Sequence, residues 1–218
     1  MRNRYDMQLH LLDTQLTHMG ELCETAIAKV TQALKEGNTE QAKIVIKEDE
    51  EIDQIEKDIE RLCLKLLLQQ QPVARDLRRI SAALKMITDM ERIGDQASDI
   101  AEIIGFLNGR IGSDAQYICQ MAVAAMRMVT ESVEAYVKRD VAMAEATIQH
   151  DDVVDDLFLK VKNSLIQMIS ENPKDGEYAL DLLMIAKYFE RIGDHATNIA
   201  EWVEFAITGV HKDSAVMH

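Results

Sequence analysis

One stretch of the sequence occurs twice, and no other feature constrains the fold as much. Glu91-Arg92-Ile93-Gly94-Asp95-Gln96-Ala97-Ser98-Asp99-Ile100-Ala101-Glu102 returns 99 residues later as Glu190-Arg191-Ile192-Gly193-Asp194-His195-Ala196-Thr197-Asn198-Ile199-Ala200-Glu201, with nine of twelve positions identical. The chain is therefore read as two copies of one structural unit. Each copy sets a Glu and an Asp four residues apart, Glu91/Asp95 and Glu190/Asp194. On a helix this spacing puts both carboxylates on one face, where like charges repel by roughly a few tenths of a kcal/mol. A bound cation would compensate them.

The unit is helical. Two prolines and nine glycines in 218 residues, with abundant Leu, Ala, Met, Ile, Lys and Glu, point to an all-α fold. Apolar residues recur every three or four positions from 4 to 36 (Leu9, Leu12, Leu16, Met19, Cys23, Ala26, Ile27, Val30, Leu34), and Gly37 stops that helix. Asn38 or Thr39 caps a second helix to about residue 70, with the stripe Val45, Ile52, Ile55, Ile59, Leu62, Leu66. Gln71-Pro72 breaks the chain, Pro72 suiting the first turn of a third helix over about 73–107. After the connector Asn108–Ser113, with Ser113 as cap, the plan repeats over about 114–138, 140–170 and 175–208, and Asn172-Pro173 matches the first break. Two repeated antiparallel three-helix bundles of six long helices follow, spanning 1–110 and 111–218, with a frayed tail from Gly209.

Charge narrows the function. With 24 basic and 38 acidic residues the net charge is −14, a surface that repels nucleic acid and anionic lipid; no basic patch of useful size stands out. The first residues lack the apolar run of a signal peptide, and no apolar stretch approaches the ~18 residues of a membrane span. Cys23, Cys63 and Cys119 sit at apolar helical positions without CxxC spacing, which reads as buried free thiols in a reducing cytoplasm.

At about 100° per residue, Leu77, Ile80, Leu84 and Ile87 share an arc into which Glu91, Asp95, Ser98 and Glu102 then fall, Asp99 lying beside them. Ala179, Leu183 and Ala186 lead likewise into Glu190, Asp194, Thr197 and Glu201. The core stripe is thus expected to turn acidic along its length. The second and fifth helices offer the matching pairs Asp49/Asp53 and Asp151/Asp155. Two facing rungs would give four carboxylates per bundle, an all-oxygen site suited to magnesium, manganese, calcium or iron, with zinc also admissible. Asp99 is an additional candidate ligand; its counterpart Asn198 is weaker. His150 and His195 lie about 100° off the acids and read as non-ligands, and the methionines as core. Gly94 and Gly193, each costing ~1 kcal/mol in a helix, imply close approach of a neighbour or room for an ion. Arg92 and Arg191 are placed to orient the adjoining carboxylates.

The run Gln71-Pro72-Val73-Ala74-Arg75-Asp76-Leu77-Arg78-Arg79-Ile80, with Leu84-Lys85 and both Glu-Arg-Ile-Gly-Asp motifs, resembles the PhoU family of phosphate-transport and phosphate-signalling regulators over essentially the whole chain. That resemblance implies multinuclear metal clusters held by E(D)xxxD motifs, here Asp49/Asp53 with Glu91/Asp95 and Asp151/Asp155 with Glu190/Asp194. It leaves iron, zinc, manganese or magnesium open. It also implies a cytoplasmic, non-enzymatic negative regulator of phosphate uptake, homodimeric or larger. Its partners would be the phosphate ABC transporter, chiefly its ATPase PstB, and the sensor kinase PhoR, with no nucleic acid and no membrane insertion. Asn198 in place of an Asp99 equivalent departs from equality between the clusters. The competing readings are a carboxylate-bridged metalloenzyme, disfavoured because no Glu-x-x-His motif accompanies the acids, and a purely structural scaffold whose acids are only charge-paired.

Overall fold

A computed structural model describes residues 2–69, 72–107, 109–110 and 115–210. It contains α1 (Arg2–Glu36), α2 (Thr39–Gln69), α3 (Ala74–Phe106), α4 (Gln116–Lys138), α5 (Val141–Gln149), α6 (Asp151–Glu171) and α7 (Gly176–Thr208), with a 3-10 turn at Pro173–Asp175. Each helix end has a local cause. Gly37, at φ 60°, closes α1 through Asn38 N–H to Ala33 O (2.9 Å) and Gly37 N–H to Leu34 O (3.4 Å), the paired bonds of a glycine-terminated helix. Asn38 then caps α2, its side-chain oxygen accepting the Gln41 N–H at 3.0 Å. Pro72 stands two residues before α3 rather than inside its first turn, and Val73 takes the N-cap position without a side-chain bond. The boundary expected at 110/111 falls in the α3–α4 connection, where Asn108 and 111–114, including Ser113, lie outside the described residues, as does 211–218 of the expected tail.

The fifth helix of the expected plan is two helices. His150 interrupts it at φ −69°, ψ −14°, tighter than α-helical geometry. No proline or glycine is responsible. Buried Thr147 bonds back to Met143 O at 2.9 Å, a pattern that bends helices, and Glu131 of α4 holds the His150 ring nitrogen at 3.0 Å.

In the first bundle α1, α2 and α3 pack together; in the second α4 packs on α5, α6 and α7. The bundles meet along α3/α7 and α1/α4 and share one hydrophobic core. At the α1/α4 contact Gly20 lets Val133 approach, since a Cβ there would meet its methyl at 3.1 Å. All nine apolar positions expected for α1 are buried. Cys23 and Cys63 are buried free thiols, burial raising each to about 12; Cys119 is only half-buried. Among the described residues no helix is long and apolar enough to cross a membrane.

Candidate functional site

The α3 core stripe is only partly the one expected: Ile80 and Ile87 are buried. Leu77 is 45% exposed and Leu84 only partly buried; the buried line runs through Ala83, Met86, Met90, Ile93, Ala97, Ile100 and Ile104. The acids therefore border the core rather than continuing it. α3 is covered by α1, α2 and α7, and Glu91, Asp95 and Asp99 occupy the margin that this packing leaves half-open.

Across that margin stands α2. Asp49 Oδ1 lies 2.6 Å from where a Cβ on Gly94 would be, and Ile52 Cδ1 lies at 2.9 Å. The glycine thus makes room for side chains of α2, Asp49 foremost, rather than for a neighbouring backbone. Burial, then Asp95, Asp53, Glu91 and Asp99 in that order, push the Asp49 carboxyl up to about 6. All five candidate ligands of the first bundle thus share one electrostatic neighbourhood. Burial and Asp95 also raise Glu91, against the pull of Arg92.

The second bundle repeats the arrangement more loosely. Asp151 Oδ1 lies 3.3 Å from a would-be Gly193 Cβ, with Val154 beyond. Burial, then Asp194, Asp155, Asp152 and Glu190, push Asp151 up to about 6. Burial and Glu190 raise Asp194. Yet Asp155 and Asp194 are solvent-exposed, whereas Asp53 and Asp95 are half-buried. Asp49 lies well inside α2, but Asp151 opens α6 after the His150 break, so the two clusters differ in enclosure.

The acids are held by basic side chains. Arg92 reaches Glu91 at 3.5 Å and Asp95 at 2.9 Å, Lys57 reaches Asp53 at 3.6 Å, and Lys187 pairs with Glu190. Arg92 therefore orients its neighbours as expected, while Arg191 acts across the α3/α7 seam on Asp99. In this arrangement no three His, Cys, Asp or Glu among the described residues converge closely enough to hold an ion. Arg92 and Lys57 are more than half exposed and Lys187 nearly so. All three can swing outward without breaking the core. Clustered all-oxygen donors, two of them facing glycines that no Cβ obstructs, fit a hard or borderline cation.

The α3/α7 seam carries polar residues absent from the candidate set. Asp89 accepts from Asn198 Nδ2 at 3.1 Å and bonds the His195 ring at 2.8 Å. At the equivalent positions of the other repeat, Tyr188 stands close to Asp99. Tyr188 follows Asp89, and Asn198 follows Asp99, by the same 99 residues as the motifs. The duplicated helices are thus related by an approximate two-fold axis, and His195 serves this seam. Only the facing of Asp89, about four helical turns into α3, could have suggested it.

The surface is not uniformly acidic, against the expectation of no useful basic patch. Arg75, Arg78 and Arg79 at the start of α3 meet Arg139 at the end of α4, forming a local basic cleft with Tyr136, Ala206 and Ile207.

Comparison with known proteins agrees with this architecture. The family model for the PhoU domain matches twice, on residues 16–104 and 118–203. The "phosphate-specific transport system accessory protein PhoU homolog" of Clostridium acetobutylicum is 36% identical over 214 residues, 97% of this chain and 98% of that protein. The Aquifex aeolicus protein of the same description is 38% identical over 81% of this chain and 80% of its own. Among solved structures, PhoU from Pseudomonas aeruginosa superposes with TM-score 0.89 at 30% identity, covering 94% of this chain and all of that one. The phosphate transport system regulatory protein PhoU from Streptococcus pneumoniae gives 0.86 at 25%, covering 94% and 98%. With both repeats matched and the whole length aligned, the chain belongs to the PhoU family.

Proposed function

We propose that this protein is a non-enzymatic accessory regulator of phosphate transport whose two bundles each carry a metal cluster. The observation that carries the reading is the convergence of two helices' acids at a glycine, Asp49 upon Gly94 and Asp151 upon Gly193. Such clusters are costly without a counter-charge, and the same arrangement stands in both repeats. Asp49, Asp53, Glu91 and Asp95, with Asp99 beside them, would hold the first group; Asp151, Asp155, Glu190 and Asp194 the second. A bound cation supplies positive charge and bridges facing helices. The chain's own contribution is to hold the carboxylates in register, with Arg92, Lys57 and Lys187 neutralising them in its absence.

The curated relatives are described as accessory proteins, which supports a regulatory role in transport. The partners fitting that role are the transporter's ATPase, PstB, and the sensor kinase PhoR, met from the cytoplasmic side by a homodimer acting as a negative regulator. Affinity capture with the full chain from detergent-solubilised membranes is expected to recover PstB or PhoR. Recovery of neither, from membranes shown to contain both, would overturn the regulatory reading while leaving the metal reading to its own test.

A further inference from the structure

The arginine cleft between the bundles is not used by the carboxylate sites. Its inner cavity, about 350 Å³, is lined by Arg75, Arg78, Arg79 and Arg139 with Tyr136, and by no carboxylate. Arg79 is committed: Asp13 pairs with it, Tyr136 donates to its carbonyl oxygen at 3.2 Å, and its guanidinium stands 6.0 Å from the Tyr136 ring. The other three form no ion pair among the described residues. Arg78 Nε is buried without a hydrogen-bond partner, and a Cβ on Gly209 would lie 3.4 Å from it, so the guanidinium lies against the glycine that ends α7. Arg139 is held in the left-handed backbone region at φ 57°, a conformation that disfavours a residue with a side chain. In a chain of net charge −14, three of the four converging cations, Arg75, Arg78 and Arg139, thus lack a counter-anion among the described residues.

We infer that this cleft binds the phosphate group of a small phosphorylated molecule. A phosphate presents three terminal oxygens to several guanidinium forks, more than a carboxylate can offer. Free phosphate would fill only part of the inner cavity. The cleft opens past Arg75, Arg79 and Arg139 into an outer cavity of about 790 Å³. Its walls include Tyr5, Leu9, His10 and Val137, surfaces suited to an organic group; Asp6, Asp13 and Asp76 line this outer part beside Arg75, Arg79 and Arg139, whereas the inner cavity has no carboxylate. The assignment is independent of the metal reading.

Calorimetric titration of the chelator-treated full chain, where no bound metal can capture an anion, tests it with two probes, inorganic phosphate and AMP. Saturable binding with Kd below about 1 mM, weakened about tenfold or more in Arg75→Ala and in Arg139→Gly, is expected. Arg139→Gly suits the backbone at that position, so the guanidinium is removed while the fold is kept; circular dichroism checks both variants. Tighter binding of AMP than of phosphate confirms a phosphorylated organic ligand; equal or tighter binding of phosphate keeps the site and assigns it to the free ion. No saturation by either probe, or binding unchanged in both variants, overturns the inference.

Discussion

At Gly94 the missing side chain decides the geometry of the first cluster. A methyl there would fall 2.6 Å from Asp49 Oδ1 and 2.9 Å from Ile52 Cδ1, whereas at Gly193 the nearest atom is 3.3 Å away. Replacing a mid-helix glycine by alanine gains ~1 kcal/mol of helix propensity, and overpacking costs about 1–3 kcal/mol. Gly94→Ala is therefore expected to lower the melting temperature and Gly193→Ala to leave it unchanged or raise it slightly; calorimetry of the metal-free variants reads the difference. Equal effects would show that the two glycines are not distinguished by their neighbours. The carboxyls add a pH dependence. Asp49 and Asp151 have folded pKa values raised to about 6, against about 3.9 in the unfolded chain. Between those values the folded state binds more protons than the unfolded one, so this contribution is present at low pH and lost as pH rises through about 6. The metal-free Asp49→Asn/Asp151→Asn protein should melt close to wild type near pH 4 and above it at pH 7, to the extent of about two titrating groups. A wild-type advantage that grows with pH would contradict the assignment.

Among the elements, α3 shows how far a sequence pattern can be trusted. That the acids sit on a long helix near its buried surface was legible. Their placement on the core stripe was not, because the arc is measured from Leu77, which is exposed, and holds the partly buried Leu84 beside the buried Ile80 and Ile87. A helix covered on three sides by α1, α2 and α7 has a wide buried arc, and a choice of apolar residues at its edge rotates the whole assignment. The α5/α6 break was illegible for a different reason. His150 and Thr147 carry no sequence mark of a break, and the Glu131 that bonds the His150 ring comes from α4. The end of α4 supplies an element-level prediction. Arg139 fills the left-handed position that glycine fills at Gly37 and Gly209, so Arg139→Gly should stabilise the protein by about 1 kcal/mol, seen as a higher denaturant midpoint. A lower midpoint would mean that the Arg139 side chain contributes more packing than its backbone conformation costs.

Over the whole molecule, the duplication was the most legible property, and the structure gives it a spatial form. Repeated motifs lie on helices that pack across an approximate two-fold axis, with Asp89 meeting Asn198 and Asp99 meeting Tyr188. The same symmetry is broken where the repeats diverge: α2 is continuous but α5 and α6 are not, and the second cluster stands more open to solvent. The basic cleft escaped the sequence reading because Arg139 comes from the other repeat, and only the packing of the bundles brings it to Arg75 and Arg78. In the proposed reading each bundle's four-carboxylate rung pair holds its own metal. The direct test is the metal content of untagged protein, measured by mass spectrometry on wild type, Asp49→Asn/Asp95→Asn, Asp151→Asn/Asp194→Asn and the four-fold variant. The expected result is that each pair of substitutions removes one cluster's metal and leaves the other's, and the four-fold variant retains none. Metal content unchanged across the series would contradict the account.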